Sequence, residues 1–547
     1  MNKSSTAGLC ELPTYKFNNS SIKISLDKVI KKVYTLNINI IKEFNPMKKS
    51  IKLLSLILSV IMIFSAVSVL AYASEDTQPY RISCTVNGDT KTRRGFCWYT
   101  KSETDTVVMV YEGTKPAGTL HVVDSAEWNG GYYHKAIVED LKAGTTYSYK
   151  VGDGTTWSDM GTFTTDNGDS SVSFIAIADV QASSLENFKK GSRALTAALE
   201  MTSDVDFVVN LGDYTNDCTN EEWDAYDTAF GALNLTYTAA AVAGNHDGFN
   251  QANWFNNMFC LDTRESVQVE EGVNYSYDVG NCHFAVLNTN DGLSITNAQL
   301  TWLRNDLNST DKDWKIIFMH KSPFTLGKDG KWPDALYLQN VLVPICDDCD
   351  VDLVMSGHDH MYLRTKALKD CEPDENGTTY VLSGTAGSKR YEIRTFLADT
   401  FIDKTSIANL CIQRYDLNGN RWNAEENDWY VVEGDELDAI CGSVFNIVRI
   451  DGGTLTLNSY VIKDEYYEDG SFNFENTDAS VITNIDTFTK EKEMGTNSPT
   501  YTGDNVQTAN KFVSFFELAK YALFTWLPKF FSMLPELLHS LIYDDVF

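Results

Sequence analysis

The sequence is short of positive charge. It carries 45 lysines and arginines against 75 aspartates and glutamates, a formal net charge of −30. Residues 1–73 hold 10 basic and 3 acidic residues, which leaves −37 for the rest of the chain. A surface that acidic repels a phosphate backbone, so no nucleic acid is expected as a main partner. An anionic ligand would have to be drawn in by something locally positive, such as a bound cation. A second Cys-x-x-Cys to accompany Cys346-Asp347-Asp348-Cys349 is missing, so a structural role is expected there rather than a zinc or redox site. Histidine is scarce, 8 in 547 residues, and where those few fall becomes informative. With 43% hydrophobic and 12% aromatic residues, global disorder is excluded, and the length suits roughly two to four domains.

Long apolar runs are also rare. The clearest, Leu53 to Leu70, follows the basic stretch Met47-Lys48-Lys49-Ser50-Ile51-Lys52 and precedes Ala71-Tyr72-Ala73, a small-x-small cleavage pattern. That order predicts a secretory signal over 47–73, with 1–46 an upstream extension that is not native, and a protein secreted or held at the cell surface. An uncleaved membrane anchor is the competing reading of the same run. Export permits disulfides, and Cys84/Cys97 and Cys260/Cys282 are spaced for neighbouring strands, which makes them the expected pairs.

Residues 79–165 read as all-β, with six short alternating runs between Arg81 and Thr164 and Trp98 as a core aromatic. The stretch Leu141 to Tyr149 resembles the corner of fibronectin type III-like sandwiches, where a tyrosine ties a turn back to the sheet. His121 and His134 look like isolated surface or cross-strand residues. From 171 the pattern changes to strands alternating with helices, which predicts an α/β layered domain over 171–463. Within it, 390–440 reads as an irregular acidic insertion. A polar linker is expected over 464–510. The final segment, 511–547, keeps near-helical apolar spacing broken by Pro528 and Pro535. It suits contact with a membrane surface or a protein better than a spanning helix.

The chemistry gathers where predicted strands stop. Ser173–Ala178 runs into Asp179, Phe207–Leu211 into Gly212-Asp213, and a small apolar run into Gly244-Asn245-His246-Asp247. Trp314–Met319 ends at His320, and Asp352–Met355 at Ser356-Gly357-His358-Asp359-His360. Four of the eight histidines therefore stand at strand ends, where open α/β sheets place their sites. Mixed Asp, Asn and His donors suit Mn, Fe or Zn, and a shared carboxylate could hold two such ions for displacement at phosphorus.

In order and spacing, these five blocks resemble those of calcineurin-like metallophosphoesterases, and with the preceding β domain the layout is similar to purple acid phosphatases. The resemblance implies a multidomain fold: an N-terminal all-β sandwich, then an α/β layered metallophosphoesterase domain built as a β-sandwich flanked by helices. It implies two divalent or trivalent metal ions, Asp179 and His360 on one, Asn245, His320 and His358 on the other, and Asp213 bridging. His246 would stabilise the transition-state charge or protonate the leaving alkoxide. A metal-bound hydroxide would be the nucleophile and a phosphate ester the substrate. Asp247 and Asp359 would orient the neighbouring imidazoles, while Trp254, Phe255, Phe259 and Lys389-Arg390-Tyr391 would form pocket walls. Two positions depart from the pattern. The family has Asp-x-His or Asp-x-Gly where this chain has Asp179-Val180-Gln181, and purple acid phosphatases place a tyrosinate where this chain has Asn216. The implied function is a secreted, acid phosphatase-like phosphoesterase. Its alternatives are a phosphodiesterase on the same centre, or a non-enzymatic surface binding protein with a degenerate phosphoesterase domain.

Overall fold

The computed structural model describes residues 76–495 apart from 203, 249–253, 265, 268–272, 291–294, 328–332, 392–410, 416–419, 424–427, 432 and 434–440. The expected signal 47–73, the extension 1–46 and the tail 511–547 lie outside the described residues. Among the described residues no helix is long and apolar enough to cross a membrane.

Two sheets face each other across the main core. One has ten strands, ordered Ile482–Glu491, Thr454–Lys463, Gly442–Asp451, Ser171–Ile177, Phe207–Asn210, Ala239–Ala241, Tyr80–Thr85, Arg94–Thr100, Gly131–Glu139 and Thr119–Trp128. The other has seven: Tyr275–Val279, Cys282–Leu287, Trp314–Met319, Leu353–Ser356, Thr379–Ser383, Tyr362–Thr365 and Cys411–Tyr415. Their central strands are parallel and buried on both faces, which is why they read as unbroken apolar runs. Along Ser171–Ile177, Val172, Phe174 and Ala176 face the opposing sheet, while Ile175 and Ile177 face helices. Phe174, Phe207, Phe284 and Phe318 interlock between the sheets, with centroids 5.1–5.6 Å apart in the closest pairs.

Helices cover the outer faces. Leu185–Met201 starts at the N-cap Ser184, and Asn220–Asn234 starts at a Thr219/Glu222 capping box; both close the first sheet. Asn297–Ser309, begun by a Thr296/Gln299 capping box, closes the second with Pro333–Val341 and Val343–Asp348. The expected β-sandwich flanked by helices is therefore the fold of this region.

The N-terminal β domain adds a four-stranded sheet, Lys115–Ala117, Val107–Glu112, Thr146–Gly152 and Gly161–Thr164, packed over Phe96, Trp98, Tyr149 and Phe163. Its tyrosine corner is present: the backbone N–H of Lys142 donates to the Tyr147 hydroxyl at 2.8 Å.

Tyr80–Thr85 pairs in parallel with Ala239–Ala241 and makes the sheet of the β domain continuous with that of the second domain. Three expectations need correction. The expected linker 464–510 is structured over part of its described length: Ile482–Glu491 is an edge strand paired along Thr454–Lys463. It is clamped by Asp486, which accepts from Arg364 at 2.6 and 2.9 Å and from the Tyr362 hydroxyl at 2.7 Å. The expected disulfides do not form. Cys97 lies opposite Ser83, so Cys84 and Cys97 point to opposite faces, and all four cysteines are free. Finally, the 390–440 insertion contains the strands Cys411–Tyr415, Asn420–Asn423 and Asp428–Val431.

Candidate metal centre

The site forms where the parallel strands of both sheets end. Gly212 and Gly244 allow two of the loops to touch. A Cβ on Gly244 would lie 2.1 Å from the Asp213 N and Oδ1, and one on Gly212, at φ +103°, would lie 2.5 Å from His320 Nδ1. Asp247 locks the same two loops by accepting backbone N–H bonds from Gly244 (2.8 Å), Asp213 (2.9 Å) and Tyr214 (2.8 Å). It therefore holds the backbone rather than orienting an imidazole, as was expected of it. Asp359 accepts from the Thr325 hydroxyl. Asp179, Gln181, Asp213 and His358 all have positive φ (51°, 29°, 54° and 78°), and such strain in non-glycine residues gathers at functional sites.

Two groups of potential metal ligands result, Asp213 with His320 and His358, and Asp179 with Asp213 and His360. Within each group the ligand atoms all lie within 4.8 Å of one another, and Asp213 belongs to both. The imidazoles are aimed by carbonyls. His320 Nδ1–H donates to Leu211 O (2.8 Å), which leaves Nε2 3.3 Å from Asp213 Oδ2 and 3.1 Å from Asn245 Oδ1. His360 Nδ1–H donates to Lys389 O (2.9 Å), which leaves Nε2 3.7 Å from Asp179 Oδ1. Fixing one nitrogen by a hydrogen bond to set the tautomer of the other is the usual preparation of a metal-binding histidine. The His358 backbone N–H donates to both Asp179 oxygens, at 2.9 and 3.0 Å.

His246 lies beside these groups. Its backbone N–H donates to Asp213 Oδ1 (2.8 Å), and its Nδ1–H donates to the Asn216 carbonyl. The structure thus brings together all seven residues picked from the sequence, Asp179, Asp213, Asn245, His246, His320, His358 and His360. It does not bring in the aromatic walls. Trp254, Phe255 and Phe259 are buried in a core with Tyr214, Trp223 and Phe230.

The electrostatics fit a cation. Burial and the Asp213 charge raise the Asp179 pKa well above the usual carboxylate range, although His320 opposes them. Burial would lower the His320 pKa, but Asp213, Asp179 and the Leu211 carbonyl together outweigh it and carry it up to about 9. Positive charge is thus wanted at the centre, and a metal ion would take the place of the His320 proton. Gln181 Oε1, two residues after Asp179, is buried without a hydrogen-bond partner, a neutral oxygen suited to the same need. Three imidazoles, two carboxylates and an amide fit Mn, Fe or Zn.

Fold and potential ligand set together resemble those of metallophosphoesterases. Residues 172–362 match the calcineurin-like phosphoesterase family, and residues 79–165 match the purple acid phosphatase N-terminal domain. The chain is 25% identical over 174 residues to purple acid phosphatase 23 of Arabidopsis thaliana, covering 30% of this chain and 38% of that one. It is 23% identical over 312 residues to purple acid phosphatase 21 of the same plant, covering 53% and 68%. A purple acid phosphatase from yellow lupin (Lupinus luteus) seeds superposes with a TM-score of 0.55 at 16% identity, over 76% of this chain and 75% of that one. Residues 172–362 therefore form a calcineurin-like metallophosphoesterase domain, preceded by a domain of the purple acid phosphatase N-terminal type, and the curated relatives this chain resembles are purple acid phosphatases.

Proposed function

We propose that this protein is an exported phosphatase that hydrolyses phosphate monoesters at a pair of metal ions drawn from Fe, Mn and Zn. The observation that carries the reading is the pair of ligand groups sharing Asp213. When bound, two cations supply Lewis acidity toward phosphoryl oxygens and lower the pKa of water. The chain's own residues do the rest. Asp213, fixed by the His246 backbone N–H, joins the two halves of the site. His246 has its Nδ1 committed to Asn216, so proton exchange with the leaving ester oxygen falls to Nε2. Asp247 holds the backbone of both Asp213 and Gly244, so the geometry is set before substrate arrives.

Export rests on the 47–73 signal pattern, and contact with a membrane surface or a protein is assigned to 511–547 by its apolar spacing. Metal analysis of the purified protein, with assays on chromogenic monoesters and diesters in the presence of Mn, Fe or Zn, tests the activity. Absence of metal and of turnover on both esters would refute it. N-terminal sequencing of protein recovered from the medium tests export, and a mature chain beginning near Met1 would refute the proposed start.

A further inference from the structure

The segment Lys389-Arg390-Tyr391 is built onto the metal centre from one side. The Lys389 carbonyl accepts from His360 Nδ1–H (2.9 Å), and the Tyr391 ring stacks on the His360 imidazole at 4.3 Å and 8°. The Tyr391 N–H donates to His360 O at 3.2 Å. Arg390 anchors the segment from behind, donating to Gly442 O (2.9 Å) and to both Asp464 oxygens (3.1 and 3.2 Å). With the backbone fixed, the Lys389 side chain reaches across to Asn216, and its ammonium donates to Oδ1. The amide is held in that sense because Asn216 Nδ2 donates to Asp217 Oδ2 at 2.9 Å. The same Asn216 accepts from His246 through its backbone carbonyl. An exposed ammonium therefore stands one residue away from the proton-transferring imidazole, on a protein whose surface is otherwise strongly acidic.

We propose that Lys389 binds the phosphoryl group of the substrate and selects monoesters over diesters, an inference that rests on the hydrolase reading above. The charges favour it. Asp179 and Asp213 are the charged ligands of the two groups, so two divalent cations would leave two positive charges. A diester monoanion and an attacking hydroxide cancel these. A monoester dianion brings one negative charge more, and Lys389 supplies its counterpart beside the site. Asn216 holds the ammonium in place beforehand, which reduces the ordering cost of binding.

The test compares Lys389→Met, Lys389→Arg and Lys142→Met with the parent protein. Lys142 is an exposed lysine paired with Glu112 on the β domain, so its loss changes the net charge equally but not the site. Three quantities are read: kcat and KM on p-nitrophenyl phosphate and bis(p-nitrophenyl) phosphate, binding of inorganic phosphate by calorimetry, and metal content. For Lys389→Met the expected result is a loss of about tenfold or more in kcat/KM on the monoester and in phosphate affinity, at unchanged metal content. The diester should change by less than about twofold, Lys389→Arg should restore most of the loss, and Lys142→Met should alter neither ester. Equal losses on both esters, unchanged phosphate binding, or loss of metal would overturn the proposal. If the parent protein bound phosphate through Lys389 yet hydrolysed neither ester, the hydrolase reading would fall and the phosphate site would stand.

Discussion

Replacing His134 by glutamine should remove much of the protein's sensitivity to acid between pH 6.5 and pH 4. His134 lies in the strand Gly131–Glu139, fully buried and stacked on Trp98 at 5.2 Å and 15°. Its ring nitrogens meet hydroxyls, Nε2 with Thr100 Oγ1 and Nδ1 with Thr106 Oγ1, both at 2.9 Å. Hydroxyls satisfy a neutral ring but bring no negative charge to balance an imidazolium. Burial therefore drives the pKa from 6.5 down to about 4, opposed only in part by Asp153. In the unfolded chain the same imidazole takes up its proton near 6.5. Across the window between these values the unfolded state binds more protons, so stability falls as the pH falls and levels off below about 4. At about 1.4 kcal/mol per pH unit the loss comes to about 3 kcal/mol, a large share of a typical domain's 5–15 kcal/mol. His134→Gln keeps an amide for the hydroxyls and does not titrate. It should be less stable than the parent by about 1 kcal/mol at neutral pH and more stable near pH 4, measured as urea midpoints over that range. His283 acts oppositely. Burial lowers its pKa, but hydrogen bonds to Asp278 and Asp306 carry it to about 9, so its contribution is complete below 6.5 and lost as the pH rises to 9. That contribution is common to both proteins and cancels in their difference. Parallel stability curves for parent and variant would refute the reasoning.

Three further outcomes follow from the site and the sheet. Asp213→Ala should lose metal and activity together, whereas His246→Ala should keep its metal and lose roughly 10²–10⁴ in kcat, measured by metal analysis beside steady-state kinetics. An iron-loaded sample should show no visible tyrosinate-to-iron charge-transfer band, because Asn216 takes the tyrosinate position and its Oδ1 accepts from Lys389; a purple sample would contradict this. Asp486→Ala should cost about 3–5 kcal/mol in chemical denaturation, since it strands the buried Arg364 guanidinium.

The candidate site residues were legible because each stands within a few positions of the end of an apolar run, so a short stretch of sequence shows both the strand and the group it presents. What holds those residues was not legible. Asp247 is bonded to Asp213 and Tyr214 across 33–34 positions, and Lys389 to Asn216 across 173, and nothing local marks either pairing. The strand Thr119–Trp128 escaped notice because most of its residues are exposed on both faces, which erases the alternation by which strands are read. Ile482–Glu491 looked like linker for a related reason: it is an edge strand, and much of its surface faces water. The Cys84/Cys97 pair failed on register. A shift of one residue between Tyr80–Thr85 and Arg94–Thr100 sends Cys84 into the sandwich core while the Cys97 thiol bonds the Asn257 carbonyl on the other side.

The parallel pairing of Thr85 with Ala239 makes the β domain a covering for an otherwise naked strand. Ala239–Ala241 is three residues long and leads into the loop of Gly244, Asn245 and His246. If the chain were cut between 165 and 171, that strand would become the rim of the sheet, with its N–H and C=O groups open to any passing chain. Val86 N–H, which now donates to Ala239 O at 3.0 Å, and Arg94, which donates to Thr238 Oγ1 at 3.3 Å, would leave with the removed piece. The catalytic half on its own would therefore tend to self-associate along this rim. Grafting a different sandwich in front of it would require matching backbone register as well as a tether of suitable length.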